Sequence, residues 1–286
     1  MNAIDLLNEM QTNLGVPWQS QNAGAFSDTV LAGEPDTEVT GIVTTFAASV
    51  DVLRRAIAAG HNTIICREPP FFSHGEVAPI AYRSGPEPPK ELMVKDAVCQ
   101  AKSEIIRSNK LVVMRFRDNW GARTVDGQLA GLAKALKWEP YHLTVNAPKT
   151  LYRPGNNFFQ LPPISLETLL GKMKESLNVK TTRVMGDKKA TVSRSALLPG
   201  YVLVPDLQAA YSQRSIDLVV IGEPVEWEGA EYIQDMIAAK RTKAAILLGN
   251  EVSEEPGSGE MAAWLKTFVR VPVNWVPTGE PFNAGV

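Results

Sequence analysis

Histidine and cysteine are scarce in this chain of 286 residues, with three of the first and two of the second. Cys66 and Cys99 supply neither a disulfide framework nor a thiolate metal cluster. Cys66, at the end of an apolar run, reads as a small buried hydrophobe. No run approaches the roughly 20 apolar residues that cross a bilayer. The opening MNAIDLLNEMQTNLG lacks the basic start and continuous apolar core of a secretion signal. A cytoplasmic protein without a membrane partner is therefore expected. A formal net charge of −2, with no basic run, speaks against nucleic acid as the partner. HExxH, G-x-S-x-G and the P-loop are all missing, so no ready-made catalytic or phosphate-binding motif announces itself.

What is present is a repeat. Residues 62–68 read NTIICRE, an apolar run that stops at a Glu-Pro turn, and residues 216–223 read IDLVVIGE, which stops the same way. Each follows a helical stretch, VDVLRRAIAAG or VPDLQAAYSQRS, and each is followed by a second helix and a second strand, LVVMRF or KAAILLG. Strands alternating with helices imply crossover connections. The expected fold is α/β: two similar three-layer halves, 1–140 and 141–286, with mainly parallel or mixed sheets and internal pseudo-symmetry. The spacing of Ile4, Leu7, Met10 and Leu14 predicts an amphipathic N-terminal helix. Met93, Ala97, Ala101 and Ile105 predict another over 90–109, and Ser165 begins a third. A last helix is read over 259–268, followed by a closing strand in VPVNWVP. The proline-rich stretch Pro69–Pro89 is a loop, and loops of that length are often functional.

The repeat has a functional side, because ligands bind where strands of α/β sheets end. Those ends carry acids: Glu68, Asp118, Glu223, and Glu251, Glu254 and Glu255 after the last apolar run. A carboxylate fixed there is partly desolvated, and several together recruit a metal, an arginine or a shared proton. Arg67, Arg115 and Arg117 supply counter-charge, and His74 is the histidine nearest the first strand end. Solvated loop starts also favour acids, so each residue alone carries little weight. Trp120, Trp227 and Trp264 are aromatic candidates for a pocket, an interface or simply core.

The stretches TGIVTTFAASVDVLRRAIAAGHNTIICREPPFF, DGQLAGLAKAL, ISLETLLGKMKESLN, TTRVMGD, IDLVVIGE and GNEVSEEPG, with PF near the end, occur in an order that is similar to one family. The chain resembles the interacting-factor-three-like proteins, also called GTP cyclohydrolase type-two-like, which are dinuclear-metal hexamers. The resemblance spans nearly the whole chain. It implies two α/β halves, a toroidal homo-hexamer and metal between the halves. At the ligand positions this sequence departs. Where the family has His-His-Pro stands Arg67-Glu68-Pro69, and where it has His-Thr-Asn-x-Asp stands Arg115-Phe116-Arg117-Asp118-Asn119. Gly-His-x-x-Ser-Glu becomes Gly249-Asn250-Glu251-Val252-Ser253-Glu254.

With the imidazoles gone, tight zinc binding is disfavoured, and Glu68, Asp118 and Glu254 remain as an all-oxygen set for one Mg²⁺, Mn²⁺ or Ca²⁺, or for none. The resemblance leaves two readings. One is a metal-dependent hydrolase of a small phosphorylated or heterocyclic substrate, with Glu68 or Glu254 as base and Arg67, Arg117 and Asn250 holding the substrate. The other is a metal-free, ring-forming binding protein in which Arg67 neutralises the acids. A divalent ion held by Glu68, Asp118 and Glu254 favours the first, and an Arg67–carboxylate salt bridge filling the cleft favours the second.

Overall fold

The computed structural model describes residues 1–19, 28–72, 94–145, 157–213 and 215–283. In chain order these form α1 (Ala3–Asn13), β1 (Thr29–Ala32), β2 (Ile42–Ala47), α2 (Val50–Ala58), β3 (Thr63–Glu68), α3 (Ala97–Ser108) and β4 (Val112–Arg115). Then come α4 (Asp118–Gly121), α5 (Gly127–Ala135), β5 (His142–Leu143), β6 (Phe158–Ser165), α6 (Leu166–Leu177), β7 (Arg183–Gly186) and β8 (Thr191–Val202). The chain continues through α7 (Val204–Tyr211), β9 (Leu218–Pro224), α8 (Glu231–Ala238), β10 (Ala244–Leu247), α9 (Asn250–Leu265) and β11 (Val273–Trp275).

The strands make two mixed sheets, ordered β1-β4-β3-β2-β11 and β5-β6-β8-β9-β10-β7. The repeat is plain in them. β2, β3 and β4 are parallel neighbours, as are β8, β9 and β10. Each trio is closed by an antiparallel edge strand, β1 beside β4 and β7 beside β10. The order helix, edge strand, strand, helix, strand, helix, strand is thus run through twice. Continuous apolar runs such as Ile64–Cys66 and Leu218–Ile221 are fully buried, as central parallel strands require.

Two compact units result, Met1–Gly127 with Ser258–Thr278 and Gln128–Gly257 with Gly279–Val286. They are discontinuous, whereas the repeat in the sequence separates 1–140 from 141–286. The reason is the end of the chain, where β11 pairs with β2 in the first sheet.

Three local expectations shift. The buried face of α1 is Ala3, Leu6, Met10 and then Leu14, not the Ile4–Leu7 stripe, and Ile4 is exposed. Asn2 and Asp5 exchange side-chain-to-backbone bonds there in a capping box. In α3 the buried face is Cys99, Lys102 and Ile106, because Asp96 caps a start at Ala97. Positions 90–93 and His74 lie outside the described residues, as do 73–89 of the proline-rich loop. The last helix begins at Asn250 and runs through Pro256, which places Glu251, Glu254 and Glu255 on its first turns. Ser165 caps α6 through Thr168 N–H as expected.

Within the second unit α9 lies hard against α5. A Cβ on Gly257 would collide with the Gln128 side chain, and one on Gly131 with the Pro256 carbonyl and Gly257 backbone. Gly257→Ala is expected to destabilise the protein by about 1–3 kcal/mol through overpacking, read as a lower urea midpoint at unchanged m-value.

Candidate functional site

In the first unit β3 and β4 run side by side with Cys66 opposite Arg115, so the segments Arg67-Glu68 and Phe116-Arg117-Asp118 leave adjacent strand ends. The structure brings acids and arginines together there. Arg115 is almost wholly buried and its Nη1 donates to Asp118 Oδ2 at 3.1 Å. Arg67, also buried, has Nη1 3.8 Å from Glu68 Oε1, an ion pair too long for a hydrogen bond. Burial lowers the Arg115 pKa and the Asp118 carboxylate opposes the shift. An arginine keeps its proton regardless.

One residue of this centre was invisible in the sequence. Asp28 is buried. Its Oδ1 accepts from the backbone N–H of Arg117 at 2.8 Å and of Asp118 at 3.1 Å. Its Oδ2 accepts from Asn119 N–H at 2.7 Å and Asn119 Nδ2 at 3.0 Å. Burial and then the neighbouring Asp118 push the Asp28 pKa up, and the backbone donors hold it down. Asn119 in turn accepts from Gln19 N–H at 2.7 Å and donates to Gln19 O at 3.2 Å. Two short polar side chains thus fix the turn that presents Arg117 and Asp118. The sequence signal is faint: an Asp in a loop, 89 positions from its first partner.

The second unit carries acids of another kind. Glu223 ends β9 opposite Tyr201 of β8, and β10 leads into α9 with Asn250, Glu251, Ser253, Glu254 and Glu255. Glu254 is buried against Gly200, whose φ of +80° sits in an irregular step of β8 between Leu198 and Tyr201. Any side chain at Gly200 would collide with the Glu254 carboxylate. Ser253 Oγ accepts from Gly200 N–H at 2.8 Å and donates to Asn250 O at 2.7 Å, which locks the helix start to that step. Burial, and then Glu254, raise the Glu223 pKa against the pull of Arg183. Burial, and then Glu255, raise Glu251 to about 7. The Asn250 Oδ1 and Glu251 Oε1 atoms are buried with no hydrogen-bond partner.

Of the tryptophans, Trp120 and Trp264 belong to an aromatic stack with Phe116 and Trp18, which is core. Trp227 stands exposed on the turn after β9.

The fold is that of the NIF3-related proteins. The structural-genomics protein YbgI, described as of unknown function, superposes with a TM-score of 0.69 at 18% identity, over 99% of this chain and 100% of that one. A Bacillus cereus protein related to NIF3 gives 0.68 at 12% identity, over 100% and 99%. Staphylococcus aureus protein SA1388 gives 0.67 at 17%, over 99% of each chain. Scans of protein-family models and of curated proteins return no match. At these identities the likeness establishes the two-half α/β fold, and the site must be argued from its own residues.

Among the described residues, no three His, Cys, Asp or Glu side chains are grouped to hold a metal ion. The first unit's acids, Glu68 and Asp118, are ion-paired with Arg67 and Arg115. No helix among the described residues is long and apolar enough to cross a membrane.

Glu251 generates a pH prediction. Its folded pKa lies above the ordinary 4.5, so the native state holds the extra proton and stability falls as pH rises from about 4.5 to 7. Glu251→Gln removes that fall. With solvent screening allowed for, it is expected to stabilise the protein by about 1 kcal/mol at pH 8 and by nothing near pH 4.5, in urea titrations at both pH values.

Proposed function

We propose that this chain is a metal-free, non-catalytic binding protein that recognises a small anion through the arginines at the first unit's strand ends. The observation that carries this is the Arg115–Asp118 pair at 3.1 Å, with Arg67 beside Glu68. A buried guanidinium supplies fixed positive charge where the resembling family has imidazole-bound metal, and its planar fork suits phosphate or carboxylate. Arg67 and Arg117 are the anion contacts in this reading.

The rival reading is the hydrolase, with a divalent ion held by strand-end carboxylates. What favours it is the second unit, where Glu251 has a pKa of about 7, in the range of a general base. Two measurements separate the readings. Elemental analysis after dialysis against mixed divalent ions is expected to find under about 0.1 metal per protomer in wild type and in Glu254→Gln. Calorimetric titration with inorganic phosphate is expected to give binding that weakens about tenfold or more in Arg67→Ala, the scale of one charge-assisted hydrogen bond. Stoichiometric metal, lost in Glu254→Gln, would overturn the binding-protein reading.

The ring is part of the proposal. Six copies of a 31.2 kDa chain would give about 187 kDa by light scattering, and a monomer would remove the toroid.

A further inference from the structure

Lys102, on α3, is a buried cation that neither site reading uses. Only 4% of it is exposed, and the titratable groups acting on it are the thiols of Cys66 from β3 and Cys99 from its own helix. Burial pushes the Cys66 thiol up to about 12, so it supplies no negative charge near neutral pH. The helix α2, which packs on α3, buries Val52, Leu53 and Ala56 and leaves its Asp51 and Arg54 exposed. The ammonium instead donates to the Pro70 carbonyl at 2.7 Å and lies 4.3 Å from the centre of the Phe72 ring. Both partners belong to the turn that follows β3, closed by Phe72 N–H on Pro69 O at 3.4 Å.

That turn is itself strained. Phe72 has φ +61°, left-handed backbone that a bulky side chain rarely adopts, and its ring is largely exposed. Strain in a non-glycine residue persists only where its surroundings impose it. Lys102 holds Pro70 and Phe72 of the turn, beside Phe71, which packs on the core.

We propose that Lys102 is a proton-sensitive latch on the Pro69–Phe72 turn, and through it on Arg67 and Glu68 at the end of β3. This regulates the arginine site and rests on the anion-binding reading of it. One carbonyl and one aromatic face replace only part of an ammonium's hydration. Burial accordingly lowers the pKa of Lys102 from the ordinary 10.5. Opening the turn would hydrate the amine and restore the ordinary value. The closed turn therefore binds fewer protons than the open one, and its stability rises with pH through the interval between the two pKa values. Below that interval both states are charged and the turn is at its loosest.

Amide hydrogen exchange at Glu68, Phe71 and Phe72, corrected for the intrinsic pH dependence, tests this as pH is raised towards the ordinary lysine value of 10.5. In wild type, protection is expected to rise with pH, by at most about tenfold per unit, the limit for one proton. Lys102→Arg, whose charge is permanent, and Lys102→Met, which keeps the stem without charge, are both expected to give flat profiles. Cooperative thermal melts establish that each variant is folded. A flat wild-type profile overturns the latch, and so does the same slope in Lys102→Met. Phosphate titration of the three proteins stands apart: a pH-dependent turn without phosphate binding would keep the latch and sink the anion-binding reading.

Discussion

A guanidinium buried at the end of β4 must be answered by negative charge, because arginine keeps its proton at any working pH and water cannot reach it. Much of the first unit's strand-end architecture follows. Asp118 supplies the answering carboxylate from the turn after β4, at 3.1 Å from Arg115. That turn holds its place because Asp28 takes its three successive backbone N–H groups, and Asn119 ties Asp28 to Gln19. A single buried charge thus organises segments nearly a hundred positions apart, and the cost of leaving any member unpaired keeps them together.

The second unit solves the same geometry with the opposite chemistry. Its parallel trio ends without a buried arginine, and carboxylates crowd the corresponding place. Glu254 packs against the bare Cα of Gly200 and raises the cost of ionising Glu223, and Glu255 does the same to Glu251 one helical turn away. A pseudo-symmetric scaffold therefore presents a cation-compensated end and an acid-rich end. Likeness to YbgI and SA1388 accounts for the shared scaffold. The contrast between the two ends is written in this chain's own residues.

The turn after β3 ties these charges to Lys102. Arg67 and Glu68 immediately precede a Pro-Pro step that removes two backbone donors. The segment is held from below by a lysine rather than by a ladder of main-chain bonds. A polar anchor of this kind responds to pH in a way that an apolar contact cannot.

The strands, the repeat and the acids at the strand ends were legible because buried parallel strands write themselves as unbroken apolar runs, and Glu68, Asp118 and Glu223 mark where those runs stop. Helix existence was legible too, but not helix facing. Ile4 and Leu7 keep the same spacing as Ala3 and Leu6, and only the surface they meet decides which pair is buried. The last helix is read over 259–268, yet α9 begins at Asn250 and passes through Pro256, and Gly131 and Gly257 let it meet α5 at backbone distance. Asp28 and Lys102 could not be read at all. Their roles come from partners distant in sequence, and a lone Asp in a loop or a Lys on a helix carries no local mark of burial. The sequence by itself determined which segments are strands and where their chemistry is exposed. Only the tertiary structure decided which charges are paired, because pairing depends on through-space distance and desolvation, which linear order does not encode.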